Sequence, residues 1–468
     1  MHRPVDVIIL AAGKGTRMKS AYPKVLQRLA GRPLLAHVIG MARGLSARCT
    51  VVVTGHGADV VEAALPGLAD GLPWQAVRQE PQRGTGHAVQ QAIPLLADDG
   101  ITLVLCGDVP LTQPETLAAL LAAQRAAGAD ALALLTVDLT DPHGYGRVVR
   151  DERGAVHAIV EEKDASDAQR RIQEVYSGIL AAPTQRLRAW LSRLDDRNAQ
   201  GEFYLTDVVK FAAADGVPVV AHRIDDPLQV AGVNTPAQLA ALERAYQHRI
   251  AQMLMTQGVR LADPARLDIR GELVCGQDVE IDVNCVFEGR VVLGDGVRVG
   301  ANCVIAHATV DAGAIIEPFT HIDGGAVGVS VGVQARVGPF ARLRPGARLG
   351  PEVHIGNFVE VKNATLAAGA KANHLAYLGD ATVGERVNYG AGSITANYDG
   401  ARKHHTVIEA DVHVGSNCVL VAPVTLGAGG TVGAGSTVTK DTPAGALTVA
   451  RAKAVTVPNW RRPSKSAG

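Results

Sequence analysis

Hydrophobic positions along the chain follow two different rules. From the start to about residue 230, short apolar runs alternate with stretches of helical spacing. VDVIILAA (5–12), CTVVVTG (49–55), ITLVLCGD (101–108) and ALALLTVD (131–138) read as strands. PLLAHVIGMARG (33–44) and TGHAVQQAIPLL (85–96) read as helices between them. Near-continuous apolar strands separated by helices predict a mostly parallel sheet covered on both faces. Ligands of such sheets sit beyond the carboxyl ends of the strands. TPAQLAALERAYQHRIAQMLMTQG (235–258) predicts one long connecting helix, with Thr235 as its cap and Pro236 in its first turn.

Beyond about residue 260 aliphatic residues recur at every sixth position: Val331, Val337, Leu343, Leu349, Ile355, Val361, and again Ile408, Val414, Leu420, Leu426, Val432, Val438. Glycine often follows one place later, as at Gly415, Gly427 and Gly433. Neither a helical period nor strand alternation explains a strict six. Three hexads closing one turn of about eighteen residues do, with one aliphatic per flat face pointing inward. Glycines and small residues are expected at the corners, where positive φ or crowding disfavours larger side chains. Such a prism has no interior room for a substrate, so its sites lie on outer faces or in grooves between neighbours. A closed trimer is the expected assembly.

Composition narrows this further. A chain of 468 residues is expected to form two or three domains; the pattern divides it at 1–234, 235–258, 259–450 and a basic tail, 451–468. Glycine is abundant, 51 residues against 6 Phe and 8 Tyr, which means many tight turns. Lys plus Arg and Asp plus Glu are balanced at 46 each, so no bulk field draws nucleic acid or an anionic membrane. Cysteines 49, 106, 275, 285, 303 and 418 form no CxxC and are expected to be reduced and mostly buried. No run reaches the ~20 apolar residues that cross a bilayer, and the start does not read as a signal peptide. A cytoplasmic protein is expected.

Three strand ends carry candidate chemistry. In LAAGKGTRMKSAYPKVL (10–26), Gly13 and Gly15 let backbone amides approach a ligand, and Arg17 and Lys24 can neutralise phosphate oxygens. The loop fits neither G-x-G-x-x-G, since Met18 takes the third glycine position, nor a Walker loop; a basic surface turn is the plain alternative. QEPQRGTGHAV (79–89) sets Gln79 and Gln82 near a second glycine turn, Gly84-Thr85-Gly86. An amide both donates and accepts, which suits a pyrimidine edge. VLCGDVPL (104–111) ends in Asp108, a carboxylate suited to a magnesium ion on phosphates, or simply to a helix cap.

Polar interruptions mark a second site on the β-helix. KANHLAYLGDATVG (371–384) holds His374 and Tyr377, and NYGAGSITANYDGARKHHT (388–406) inserts a basic loop that a regular solenoid does not need. RLRPG (342–346) and FVEVKN (358–363) add Arg344 and Lys362. The set reads as a histidine base beside an anion site: imidazole, with an unperturbed pKa of about 6.5, accepts a proton from an amine. Asn388, Asn397 and Tyr398 are placed to fix sugar hydroxyls. A plain surface histidine is the alternative.

With L-A-A-G-x-G-T-R-M…P-K and the hexads, the sequence resembles, over essentially its whole length, the GlmU family of bifunctional bacterial enzymes. These join an N-acetylglucosamine-1-phosphate uridyltransferase to a glucosamine-1-phosphate N-acetyltransferase. The resemblance implies an α/β nucleotidyltransferase domain, Rossmann-like with a mostly parallel sheet, followed by a left-handed parallel β-helix of hexapeptide repeats. It places Leu10, Ala11, Ala12 and Gly13 on the nucleotide, Arg17 and Lys24 on the phosphates, and Gln79, Gly84 and Thr85 on uracil. Asp108 and Asn234 would bind Mg²⁺, while Gly146, Glu161 and Tyr176 would line the sugar pocket. His374 would be the base of acetyl transfer, with Arg344, Lys362, Tyr377, Asn388, Asn397, Tyr398 and Lys403 around glucosamine 1-phosphate. Ala391, Ser416, Ala434 and Arg451 would meet acetyl-CoA, Tyr398 would help steady the thioester oxyanion, and a glutamate would orient His374. UTP, N-acetylglucosamine 1-phosphate and a homotrimer complete the expected partners, with Trp460 reaching a neighbouring subunit.

Two positions depart from the family pattern: Cys106 stands where Tyr precedes Gly-Asp, and Tyr176-Ser177-Gly178 replaces Asn-Thr-Gly. Alternatives are a single-activity sugar-nucleotide pyrophosphorylase whose β-helix only oligomerises, and a non-enzymatic β-helix scaffold.

Overall fold

A computed structural model describes residues 3–462 of the chain. The chain forms two compact units divided after Tyr246.

The first unit is built on nine strands: β1 Val5–Leu10, β2 Cys49–Thr54, β3 Trp74–Arg78, β4 Ile101–Cys106, β5 Leu132–Asp138, β6 Gly146–Arg150, β7 Val156–Val160, β8 Glu174–Pro183 and β9 Val219–Ile224. Their main order is β9-β5-β8-β4-β1-β2-β3, with β6 pairing β8 and β7. β1 runs parallel to β2 and β4, whereas β8 is antiparallel to β4 and β5. The unbroken apolar runs follow from burial on both faces. Val7 and Ile9 of β1 pack on the side of helices Leu34–Gly44 and Pro114–Ala127; Ile8 packs on the side of Thr85–Ala92 and Thr184–Leu191. The expected helix at 85–96 stops at Ala92 and becomes a 3₁₀ turn over Ile93–Leu95. Pro94 causes this, because it brings no N–H and crowds the preceding turn. Trp190, 1% exposed, anchors the second face and donates its indole N–H to Asp215 Oδ2 at 2.9 Å.

The helix Pro236–Thr256 begins as its sequence suggests, with Thr235 Oγ1 accepting the Gln238 N–H at 3.1 Å. Among the described residues no helix is long and apolar enough to cross a membrane.

The second unit is a parallel β-helix. Short strands stack coil on coil, as in the ladder Arg336↔His354↔Lys371↔Asn388↔His413↔Thr431. All twelve hexad aliphatics named above are buried, and they form one continuous apolar column with Cys285, Cys303 and Cys418 among them. Cys49, Cys106 and Cys275 are only half-buried, fewer inside than expected; all six are free thiols.

The corners bear out only part of another expectation. Left-handed glycines such as Gly392 and Gly435 do occupy one vertex, but the same vertex also takes Asn284, Asn302, Phe319, Phe340, Phe358 and Leu375, all at φ between 47° and 60°. The glycines that follow the aliphatics, such as Gly415, Gly427 and Gly433, are needed for another reason. A Cβ at Gly427 would lie 2.5 Å from the Ala444 nitrogen of the next coil. Adjacent strands lie about 4.8 Å apart, so close packing between coils selects glycine there, and vertex φ does not.

Gly332→Ala is accordingly expected to destabilise the β-helix by about 1–3 kcal/mol through overpacking, since its Cβ would sit 2.6 Å from the Gly350 carbonyl carbon. Gly296→Asn, at a left-handed corner with open space around it, should cost well under half as much. Thermal unfolding followed by circular dichroism compares the two.

Candidate active sites

In the first unit, β1 and β4 deliver their ends side by side: Gly107 N–H donates to Leu10 O at 2.9 Å. Val233 N–H donates to Asp108 O at 3.0 Å, which sets Asn234 beside Asp108 although they are distant in sequence. Lys24 Nζ lies between them, 2.5 Å from Asp108 Oδ2 and 3.1 Å from Asn234 Oδ1. Gly15, at φ 59°, makes this possible, because a Cβ there would lie 2.8 Å from Lys24 Cβ. Ala11 and Ala12 are buried, with Ala11 N–H bonded to Val53 O, while Gly13 faces open space. Arg17 occupies the 3₁₀ turn Thr16–Met18, pinned by buried Met18. Its guanidinium is exposed and has no partner among the described residues.

The second glycine turn is organised from within. Gln79 is buried and donates to Gly84 O at 2.8 Å, with His87 Nδ1 at 3.2 Å. Gly84, at φ 103°, passes Phe203 so closely that a Cβ would lie 2.6 Å from its carbonyl oxygen. Thr85 Oγ1 accepts the Leu205 N–H at 3.1 Å.

Across the sheet, Gly146 pairs with Tyr176, and its missing Cβ leaves room for Ile159. Glu161 accepts from Thr206 Oγ1 at 3.0 Å, and burial raises its pKa above the usual carboxylate range. Tyr176 is buried, its hydroxyl has no partner among the described residues, and burial beside Cys106 and Glu161 holds its proton firmly. Burial likewise pushes the Cys106 thiol up to about 12. Cys106 packs under Gly178, where a Cβ would meet its sulfur at 2.7 Å.

On the β-helix the candidates separate into two groups. Asn357 is in register with His374, and Gly392 N–H donates to His374 O. Asn417 N–H donates to Ala391 O, and Gly435 N–H to Ser416 O. His374, Ala391, Ser416 and Ala434 therefore form one row, a residue per coil, along a single edge. Arg451 closes the row by donating to Ala434 O. His374 is held by Asn357, whose Oδ1 lies 2.8 Å from its Nδ1. The expected glutamate is not there: Glu360 instead accepts from Arg344 at 2.7 Å.

The second group is cationic. Lys362 and Lys403 stand together, and the Lys403 ammonium holds the Lys362 pKa below the usual lysine range. Asp380 accepts from Asn363 at 2.6 Å and from Asn397 at 2.5 Å, and lies 3.8 Å from Lys403. Tyr377 belongs to this group through its proximity to Lys403. Tyr398 pairs with Lys403 across the inserted loop, and its hydroxyl donates to Gly400 O at 2.6 Å. Tyr398 is thus placed with the cations rather than on the His374 row. Asn388 stands on the Lys371 ladder, on the His374 face rather than beside Lys362.

Comparisons with known proteins agree with both halves. A family model described as MobA-like NTP transferase domain matches residues 7–194, and Bacterial transferase hexapeptide (six repeats) matches 273–307 and 405–440. A "Bifunctional protein GlmU" from Albidiferax ferrireducens is 71% identical, covering 98% of this chain and 100% of its own. Those of Polaromonas naphthalenivorans and an Azoarcus species are 70% and 58% identical, covering 99% and 98% of this chain and 99% and 100% of theirs. The chain belongs to the GlmU family. As a member it combines nucleotidyltransferase and acetyltransferase activities in one polypeptide.

Within this GlmU-family chain, sequence reasoning missed Asn357, Asp380, Thr206 and His87. Only Asn357 left a signal, one coil before His374, and it required knowing which coil stacks on which. One consequence is directly measurable. With its thiol at about 12, Cys106 is almost fully protonated at pH 8, and thiolate is the reactive form. Iodoacetamide should leave Cys106 unmodified in the folded protein and alkylate it after unfolding in urea, as read by peptide mass spectrometry.

Proposed function

We propose that the chain acetylates glucosamine 1-phosphate from acetyl-CoA and then joins the product to UTP, releasing pyrophosphate and UDP-N-acetylglucosamine. The observation that carries this reading is the presence, in separate units, of a phosphate-and-cation constellation (Arg17, Lys24, Asp108, Asn234) and a base-bearing row (His374, Ala391, Ser416, Ala434).

In the first unit the nucleophile is the sugar-phosphate oxygen, already charged, so no protein nucleophile is required. It attacks the α-phosphorus of UTP, and the bond to pyrophosphate breaks. The protein supplies alignment and positive charge through Arg17 and Lys24. Asp108 and Asn234 are hard oxygen donors that already converge on one positive charge, the Lys24 ammonium. They fit Mg²⁺, which keeps much of its shell in water and phosphate oxygens. When bound there, the ion neutralises phosphate charge. Gln79, Gly84 and Thr85 frame uracil, and Gly146, Glu161 and Tyr176 the sugar. An unpartnered buried hydroxyl costs about 1–3 kcal/mol, which supports Tyr176 as a hydrogen-bond partner for substrate.

In the second unit Arg344, Lys362 and Lys403 bind the sugar phosphate, with Tyr377, Asn397 and Tyr398 around the ring. His374 takes a proton from the amine; the freed lone pair attacks the thioester carbon, the C–S bond breaks, and the thiolate is protonated. Acetyl-CoA runs along the row of Ala391, Ser416, Ala434 and Arg451. Phe319, Phe340, Phe358 and Leu375, between 47% and 62% exposed, form an apolar edge beside His374 with the phenyl rings stacked. This edge supports a homotrimer in which a neighbour, through Asn388 or Trp460, completes each groove. The intact cation group and base argue against a β-helix that only oligomerises.

His374→Ala should abolish acetyl transfer and leave uridylyl transfer within about twofold, while Arg17→Ala should do the reverse, losing about 10²-fold in uridylyl transfer. Separate assays of coenzyme A and pyrophosphate release decide this; equal loss of both activities in either variant overturns the two-site reading. A chelator of divalent cations should stop pyrophosphate release alone. Tyr176→Phe should raise the KM for N-acetylglucosamine 1-phosphate several-fold while leaving thermal stability equal or higher, since the orphaned hydroxyl is removed.

A further inference from the structure

The hydrogen bond between Asn357 and His374 has a chemical consequence that goes beyond assigning a base. An imidazole can abstract a proton only from the nitrogen that carries none, and the hydrogen bond made by its other nitrogen decides which one that is. Asn357 Oδ1, 2.8 Å from His374 Nδ1, is an acceptor and requires Nδ1 to be the protonated nitrogen. Nε2 is then the free base. Strand register makes the arrangement rigid. Residues His354–Asn357 and Lys371–His374 are paired parallel strands, with Asn357 in register with His374 and Leu375 N–H donating to Asn357 O at 3.0 Å.

No carboxylate on this face faces the pair unpaired among the described residues. The titratable and charged groups on the neighbouring coils are Glu317 and Arg336, ion-paired to each other at 2.5 Å, together with His354, Lys371 and, beyond Asn388, His413. Burial, with Arg336 and Lys371 nearby, holds His354 below the usual imidazole range, so it is neutral near pH 7. Asn388, on the coil above, is uncharged. Glu360 is engaged by Arg344. The group behind the base is therefore a neutral amide where a carboxylate is the more familiar partner of a working histidine.

We propose that Asn357 is a positioning residue for acetyl transfer, fixing the Nδ1–H tautomer and ring orientation of His374 without adding the negative charge that would make the imidazole hold its proton more tightly. The inference rests on His374 being the base, as read above. With Nδ1–H held by Asn357, Nε2 is the atom that takes the amine proton and passes it to the departing thiolate.

Two variants test the proposal with the full-length protein. Asn357→Ala should lower kcat for acetyl transfer about 10–100-fold, the range seen when residues that orient a ligating histidine are removed. The KM for both substrates and the calorimetric Kd for acetyl-CoA should stay within about twofold, showing the groove intact. Asn357→Asp should restore most of the rate at high pH. It should also move the acidic limb of the kcat/KM profile upward by about one pH unit, because a carboxylate beside an imidazole favours its charged form. An unchanged kcat in Asn357→Ala, or an unmoved acidic limb in Asn357→Asp, overturns the inference. So does loss of acetyl-CoA affinity parallel to the loss of rate, which would make Asn357 merely structural. His374→Ala serves as the reference: if it still acetylates, the reading of the site fails, whereas if it is silent and the Asn357 variants behave like the parent, only the present inference fails.

Discussion

The close stacking of one coil on the next is the constraint from which the second unit follows. Strands about 4.8 Å apart leave no layer for a ligand between coils, and the apolar column from Val279 to Val438 leaves none inside them. Every reactive group is driven to the outside of the prism. The same spacing turns a linear chain into a ruler: residues one coil apart are neighbours whatever their chemistry, and a row such as His374, Ala391, Ser416 and Ala434 lies along an edge with no loop needed to gather it. An extended co-substrate suits an extended row.

The first unit solves the opposite problem, bringing a few charges from distant segments to one point. Its sheet is buried on both faces, so polar groups appear where strands end. Asp108 and Asn234 meet because a backbone hydrogen bond from Val233 reaches Asp108 O. Lys24 reaches them because Gly15 has no side chain in its way. One ammonium between two oxygens is electrostatically satisfied, and it can turn toward phosphate when another cation takes its place. At the opposite, amino end of the neighbouring strand β1, Asp6 is fully buried and held by Arg48 through two bonds of 2.9 and 2.5 Å. One end of this strand pair thus carries charge for structure and the other for chemistry.

Much of the architecture was legible from periodicity because periodicity is what burial requires. The runs at 5–12 and 101–108 became central strands, and the six-residue spacing became the apolar column. What stayed hidden depended on side chains meeting across coils. Asn357 is a polar corner residue with nothing local to mark it, and it gains meaning only because the coil between it and His374 is one residue short of eighteen and still keeps register. The inserted loop folds back so that Tyr398 pairs with Lys403, a contact between two residues of the same expected pocket that nothing local in the sequence marks. The glycines misled in a different way. The spacing of those that follow the aliphatics suggested corners, whereas they relieve contacts with the next coil, and the corners take phenylalanine and asparagine as well as glycine. Tyr176 and Cys106 depart from the family pattern at two sites that prove to be adjacent, which the linear sequence separates by three strands.

The distribution of indole rings has a practical corollary. Trp190 is sealed in the first unit, and Trp74 lies on its edge strand, whereas Trp460 is 66% exposed in the tail. Buried-indole emission will therefore report the melting of the α/β sheet, while the solenoid contributes only what Trp460 gains from a neighbouring subunit. An optical melting curve recorded this way describes one half of the molecule, and a second transition visible only to calorimetry would belong to the other.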